Sequence, residues 1–209
     1  MPHKSKGSFF VISGPAGSGK GTVVEGILKK TEGASPGVKL SVSFTTRNPR
    51  PNEREGVNYF FVSKETFHER LRDGKMLEHT EYCGNFYGTP AAYITEQTER
   101  GNDVILEIET DGAMQVKRLY PETVLIFVMP ESKEQIYERL VARGTESGDS
   151  VKNRMAVAEE ELETSRRYDY IVVNETGKVD KTVGEVLTII RSERLRVRNN
   201  MDFIESINK

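Results

Sequence analysis

The segment that most restricts this chain is Gly14-Pro15-Ala16-Gly17-Ser18-Gly19-Lys20. It follows directly on the β-branched and aromatic run Phe9-Phe10-Val11-Ile12-Ser13. It opens into Thr22–Lys30, where Val23, Ile27 and Leu28 fall near one helix face. A strand, a glycine-rich turn and a helix in that order make a loop whose successive backbone N–H groups can point inward around phosphate oxygens. The helix N-terminus adds partial positive charge, and Lys20 adds a full one. Gly14 to Lys20, with Gly21 and Thr22 behind them, are the candidate phosphate-binding residues. One position departs from the usual pattern. The residue after the lysine commonly carries a hydroxyl that reaches Mg²⁺, and here it is Gly21. Mg²⁺ is therefore expected on the phosphates and water, with carboxylates reaching it through water and no side chain as a direct ligand.

The rest of the chain repeats the strand–helix rhythm. Val104–Ile108, Val124–Met129 and Tyr170–Asn174 are short apolar runs that read as buried strands. Gly112–Leu119, Ser132–Arg143 and Val179–Arg198 read as helices. That alternation predicts an α/β fold, a doubly wound parallel sheet carrying the glycine loop. Two segments interrupt it. Residues 41–97 are rich in Thr, Arg, Tyr and Gly and read as an inserted mixed α/β subdomain. The polar stretch Arg143–Arg154 reads as a loop or lid, and with the helix before it gives a helical lid over 130–155. The core is then 1–40, 98–129 and 156–209.

Charge excludes some partners. Lys and Arg total 30 and Asp and Glu 32, a net of −2. A nucleic-acid-gripping surface is usually strongly basic, so no nucleic-acid partner is expected. The single Cys83 cannot form an internal disulfide, which fits a reducing cytoplasm. The apolar start at Phe9 is shorter than the ~7–15 residues of a signal-peptide core, and no run approaches the ~18 apolar residues of a membrane span. A soluble, cytoplasmic protein with no membrane partner is expected. His3, His68, His79 and Cys83 have no metal-ligand spacing. Arg191, Arg194, Arg196 and Arg198, with Glu193 and Glu205 nearby, read as a solvated face of the terminal helix. Monomer and homo-oligomer both stay open.

A second anion site is suggested by Ser43-Phe44-Thr45-Thr46-Arg47-Asn48-Pro49-Arg50-Pro51, with two arginines three apart between prolines. Guanidinium groups suit a bidentate grip on phosphate. Tyr59 and Tyr87 add hydroxyl donors, the latter on Gly84–Pro90, which reads as a tight loop. Arg139 and Arg143 are four apart and share a helix face. Glu107 and Glu109 alternate along a strand end, so both point the same way near the edge where α/β ligands bind.

Together these motifs resemble the guanylate kinase family over roughly Ser8 to Arg198. The likeness rests on Ser13–Thr22, Ser41–Arg50, Gly84–Thr89, Glu107-Ile108-Glu109, Arg143-Gly144-Thr145-Glu146 and Val172-Val173-Asn174. The Gly-Lys-Gly-Thr form of the loop is also closer to nucleoside-monophosphate kinases than to GTPases. The resemblance implies transfer of the γ-phosphoryl group from Mg-ATP to GMP. It makes Lys20, Arg139, Arg143 and Arg154 the cations on the transferring phosphate, and it places Asn174 on the adenine side of ATP. Arg47, Arg50, Tyr59 and Tyr87 would hold the GMP phosphate. Ser43, Glu78 and Thr89 would read guanine, with Glu109 close by for base or ribose. Glu107 would reach Mg²⁺ through water. The chemistry agrees, because guanine presents two adjacent donors that one carboxylate accepts, and its O6 needs a hydroxyl donor. Read alone, Glu78 in Met76-Leu77-Glu78-His79 is a surface carboxylate at a helix end. Two rival readings are a peptide-binding relative without catalysis, and a kinase for another phosphorylated acceptor.

Overall fold

The computed structural model describes residues 6–82, 84–142 and 148–207. In chain order the strands are β1 (Phe9–Ser13), β2 (Val38–Leu40), β3 (Phe44–Thr45), β4 (Phe60–Phe61), β5 (Met76–Tyr82), β6 (Asn85–Pro90), β7 (Asp103–Glu107), β8 (Val124–Pro130) and β9 (Tyr170–Asn174). The helices are α1 (Lys20–Lys30), α2 (Lys64–Arg72), α3 (Ala91–Glu99), α4 (Thr110–Leu119), α5 (Lys133–Ala142), α6 (Gly148–Thr164), α7 (Val179–Arg194) and α8 (Met201–Ile207).

The main sheet is parallel, in the order β2-β7-β1-β8-β9. The chain leaves central β1 toward one edge and later crosses to the other. The loop after β1 thus lies where strand order reverses, the crevice that ligands favour in open α/β sheets. Alternation within β1 divides the core. Phe10 and Ile12 pack with α1 and α7, whereas Val11 packs with Ile94 of α3, Leu77 of β5 and Ala113 and Val116 of α4. A strand buried on both faces needs an unbroken apolar run, as β1 and β8 have.

The second sheet, β4-β3-β6-β5, is mixed: β3 and β4 are parallel, and the other pairs antiparallel. It lies wholly within the expected insertion. The helix α3 begins in the same 41–97 span but runs past it to Glu99, and packs Ile94 against the main-sheet core instead.

The structure corrects several sequence expectations. The main sheet has a fifth strand, Val38–Leu40, three residues too short to show a pattern. Gly84–Pro90 is not a tight loop, because Asn85–Pro90 is a strand paired with β5. Much of the polar stretch ending at Arg154 is helical, since α6 begins at Gly148. The terminal helix ends at Arg194, and α8 follows as a separate element. Its basic residues are not simply a solvated face. Arg194 pairs with buried Asp103 at 2.5 Å, and Arg196 and Arg198 pair with buried Glu193 at 3.2 and 3.3 Å. No helix among the described residues is long and apolar enough to cross a membrane.

Candidate active site

The loop after β1 has the backbone its sequence requires. Gly17 and Gly19 adopt φ of 87° and 84°, a left-handed region that costs glycine little. Gly19 then begins α1, whose first N–H groups have no partners within the helix. Lys20 folds back along the loop, donating from Nζ to the Gly14 carbonyl at 2.8 Å and lying 3.6 Å from Glu109 Oε2. Burial opposes its charge, but Glu109, Glu161 and Glu107 outweigh that and raise its proton affinity above the usual lysine value.

The far side of the loop is braced. Arg139 donates from NH1 to the carbonyls of Gly17 and Ser18 at 3.0 and 3.1 Å, and the Asn174 amide donates to Ser18 at 2.8 Å. A Cβ on Gly19 would overlap that amide. Asn174 therefore has a structural partner beneath the loop, which its placement on the adenine side of ATP did not anticipate. Arg154 lies half-buried on α6. Arg143 lies outside the described residues.

Glu107 ends β7 beside Ile12 of β1. A Cβ at Gly21 would stand 3.4 Å from Glu107 Oε1, so this carboxyl faces the position where related loops carry a hydroxyl. Burial raises its proton affinity, Lys20 opposes this, and Glu109 and Glu25 add to it. Glu109 is not within the strand. It is the N-cap residue of α4, but its backbone is still extended (φ −74°, ψ 164°).

Across the cleft, Glu78 and Thr89 are paired across β5 and β6. Thr89 Oγ1 donates to Glu78 Oε1 at 2.5 Å, and Ser43 Oγ lies 3.2 Å from Thr89 Oγ1. The three expected base-reading side chains form one buried chain. Glu78 is only 3% exposed and sits on a strand, not at a surface helix end. Burial pushes its carboxyl up to about 7 despite two hydrogen bonds from Thr89.

Arg47 lies with its guanidinium 5.5 Å from the Tyr59 ring centre, and the Tyr59 and Tyr87 rings are 6.0 Å apart. Burial raises the Tyr59 phenol above its usual range, and the charges of Glu107 and Glu109 add to this. Tyr59 thus lies within electrostatic reach of Glu107 and Glu109. Sequence reasoning missed the group that sets the arginines. Glu53 accepts two bonds from Arg47 NH2 at 2.8 and 2.9 Å and one from the Arg50 backbone N–H at 2.8 Å. Partial burial opposes its charge, but these bonds hold its carboxyl below the usual range. A carboxylate three residues past the second arginine was the available signal. The Arg50 side chain is half exposed, 3.7 Å from the same carboxylate.

Gly112 and Glu161 also escaped the sequence. A methyl on Gly112 would overlap Glu78 Oε2. Glu161 brings a buried carboxyl beside Lys20 from α6. Among the described residues, no group of three or more His, Cys, Asp or Glu is arranged to hold a metal directly.

The guanylate kinase family model matches residues 6–193. A guanylate kinase of Oceanobacillus iheyensis is 47% identical over 193 residues, 92% of this chain and 91% of that one. One of Symbiobacterium thermophilum is 44% identical over 208 residues, 99% of this chain and 96% of that one. The crystal structure of guanylate kinase from Anaplasma phagocytophilum superposes with a TM-score of 0.74 at 30% identity, covering 92% of this chain and 89% of that one. The glycine loop with Lys20, the Arg47–Tyr59–Tyr87 cluster and the buried Glu78–Thr89–Ser43 chain thus accompany a match across nearly the whole sequence, and the chain belongs to the guanylate kinase family.

Proposed function

We propose that this chain carries out its family's reaction, transfer of the γ-phosphoryl group of ATP to GMP, with the following division of labour. The loop from Gly14 to Thr22 cradles the ATP phosphates, and Lys20 leaves the Gly14 carbonyl for them. Arg139 uses NH1 to brace the loop and has further N–H groups for phosphate. Arg143 and Arg154 supply the remaining cations, and Asn174 holds the loop from below next to the adenine side. Arg47, Arg50, Tyr59 and Tyr87 grip the GMP phosphate, while Ser43, Thr89 and ionised Glu78 read the base and Glu109 stays near base or ribose. Little covalent chemistry is asked of the protein. It aligns the two anions and stabilises charge on the transferring group.

Mg²⁺ fits this site only through water, because Gly21 offers no hydroxyl and Glu107 faces that position. Bound with ATP, the ion would neutralise phosphate charge, and Glu107 would hold its water. Residues 41–97 would act as the GMP-binding unit and 130–155 as the lid, closing over the core to exclude water. A reducing, cytoplasmic setting suits the single cysteine.

The observation that carries the reading is the buried Ser43–Thr89–Glu78 chain, whose Glu78 abuts Gly112 in the helix that Glu109 caps beside Lys20. A coupled assay of ADP formation with GMP, AMP, UMP and CMP tests it. Preference for GMP is expected. Turnover of AMP above GMP would overturn the guanine assignment, and no turnover with any acceptor would leave the peptide-binding reading.

A further inference from the structure

The carboxylate proposed to read the base stands at a weak point of its sheet. β5 is an edge strand, and among the described residues no strand lies beyond it. Its pairing with β6 is irregular just before Glu78. Met76 faces Pro90 and Glu78 faces Thr89, so Leu77 has no counterpart. A bulge of this kind re-aims the side chains around it. Leu77 joins the core cluster that contains Ala113 and Val116 of α4, and Glu78, the next residue, is also buried, against Thr89. A slip of one residue here would turn Glu78 to the other face of the sheet.

The outer edge of β5 is closed by a side chain. Gln115 of α4 donates from Nε2 to the His79 carbonyl at 2.6 Å, and its Oε1 accepts from the His79 N–H at 3.3 Å. One amide thus meets both backbone groups of a single residue, as a residue of a neighbouring antiparallel strand does. His79 directly follows Glu78. Gln115 comes three residues after Gly112, on the same face of α4, and Gly112 abuts Glu78 Oε2. Three successive residues of β5 are therefore tied to one helix. Leu77 is tied through the shared apolar cluster, Glu78 at Gly112, and His79 by Gln115. The same helix is capped by Glu109, 3.6 Å from Lys20, so it spans the distance from the glycine loop to the acceptor sheet.

We propose that Gln115 is a positioning residue for acceptor specificity: by clasping the His79 backbone beside the bulge, it fixes the register of β5 and so holds the Glu78 carboxylate in place for the two donors of guanine. The role rests on the assignment of Glu78 to the base. Without the clasp, the edge of β5 is free to shift at the bulge, and Glu78 leaves one or both guanine donors unmet. Adenine offers no such donor pair, so its use does not depend on where Glu78 is held.

The test compares wild type, Gln115→Met and Gln115→Ala as full-length chains, each alone and combined with Glu78→Gln, with GMP, AMP and ATP varied in turn. Methionine keeps the length and helix propensity of glutamine but removes both bonds. kcat/KM for GMP should fall by about tenfold, the scale of two lost hydrogen bonds. The fall should come through KM more than kcat, with KM for ATP and kcat/KM for AMP within about twofold of wild type. Gln115→Ala should behave alike, and it decides the matter if the methionine variant does not fold. In the Glu78→Gln background the Gln115 substitutions should not alter base preference further, because the carboxylate they act through is gone. Amide exchange gives a readout apart from activity: the His79 N–H should exchange about tenfold faster in Gln115→Met than in wild type. Wild-type GMP kinetics in Gln115→Met, an equal rise in KM for ATP, a full effect on base preference in the Glu78→Gln background, or His79 exchange no slower in wild type would each overturn the proposal. The two readings fail separately. Unchanged base preference in Glu78→Gln would sink the base reader itself, whereas its loss there beside an unaltered Gln115→Met would sink only this inference.

Discussion

The backbone of Gly112, in the first turns of α4, abuts the Oε2 oxygen of Glu78 so closely that a single methyl group there would overlap it. The contact joins the helix after β7 to the strand that carries Glu78, the carboxylate proposed to read the base. Gly112→Ala separates recognition from folding. Alanine is better than glycine in a helix by ~1 kcal/mol, so the melting temperature should hold while Glu78 is displaced. We expect kcat/KM for GMP to fall by about tenfold or more, with KM for ATP little changed. Wild-type GMP kinetics in this variant would show that Glu78 is not held in place by this contact.

Glu78 should impose a pH dependence on acceptor use. Its carboxyl is pushed up to about 7 by burial, so without GMP it is largely protonated in mild acid. Guanine offers donors and needs the ionised form. Ionisation rises with pH, so kcat/KM for GMP should climb through about pH 7 and level off above it. The limb should vanish in Glu78→Gln, which should also lose preference for GMP over AMP. An unchanged limb in that variant would place the titration elsewhere.

Glu53 orients Arg47 through two hydrogen bonds and takes the Arg50 backbone N–H as a third. Glu53→Ala leaves both arginines charged but no longer held in place. KM for GMP should rise by about tenfold, the size of one lost charge-assisted bond, with a smaller effect on kcat. Steady-state kinetics with varied GMP checks this, and an equal fall in kcat with no change in KM would contradict it.

Lys20→Ala should lower kcat by at least ~10²-fold, the scale of one lost electrostatic contact to the transition state. A value within a few-fold of wild type, with the fold intact by circular dichroism, would refute the loop assignment.

Arg194→Ala tests stability alone. It strips the ion-pair partner from Asp103, which is nearly fully buried and, among the described residues, keeps the Ser8 N–H as its side-chain hydrogen-bond donor. Because the arginine is itself about one-third exposed, the cost should be about 2 kcal/mol, below the range for fully buried pairs. Thermal melting should fall by roughly 4–8 °C, with kcat/KM unaffected because the pair lies remote from the cleft.

What the sequence determined by itself was whatever chemistry writes locally. Glycines at 17 and 19 announce a left-handed turn. Unbroken apolar runs announce strands buried on both faces, and a lysine at the mouth of a helix announces an anion site. From these follow the α/β class and the strand–loop–helix unit at its start. Elements with no local period stayed hidden. The three-residue strand Val38–Leu40 forms because β7 offers it an edge, and Asn85–Pro90 is a strand because β5 lies alongside it. The tertiary structure alone decided the electrostatics, because charge is set by distance and burial. It put Glu78 under Thr89 and beside Gly112, gave Arg47 to Glu53, and turned the basic residues of the C-terminal segment toward buried Asp103 and Glu193. It also seated α6 on α5 and on Ala16 of the loop through Met155, Ala158 and Leu162, and buried Glu161 on that helix.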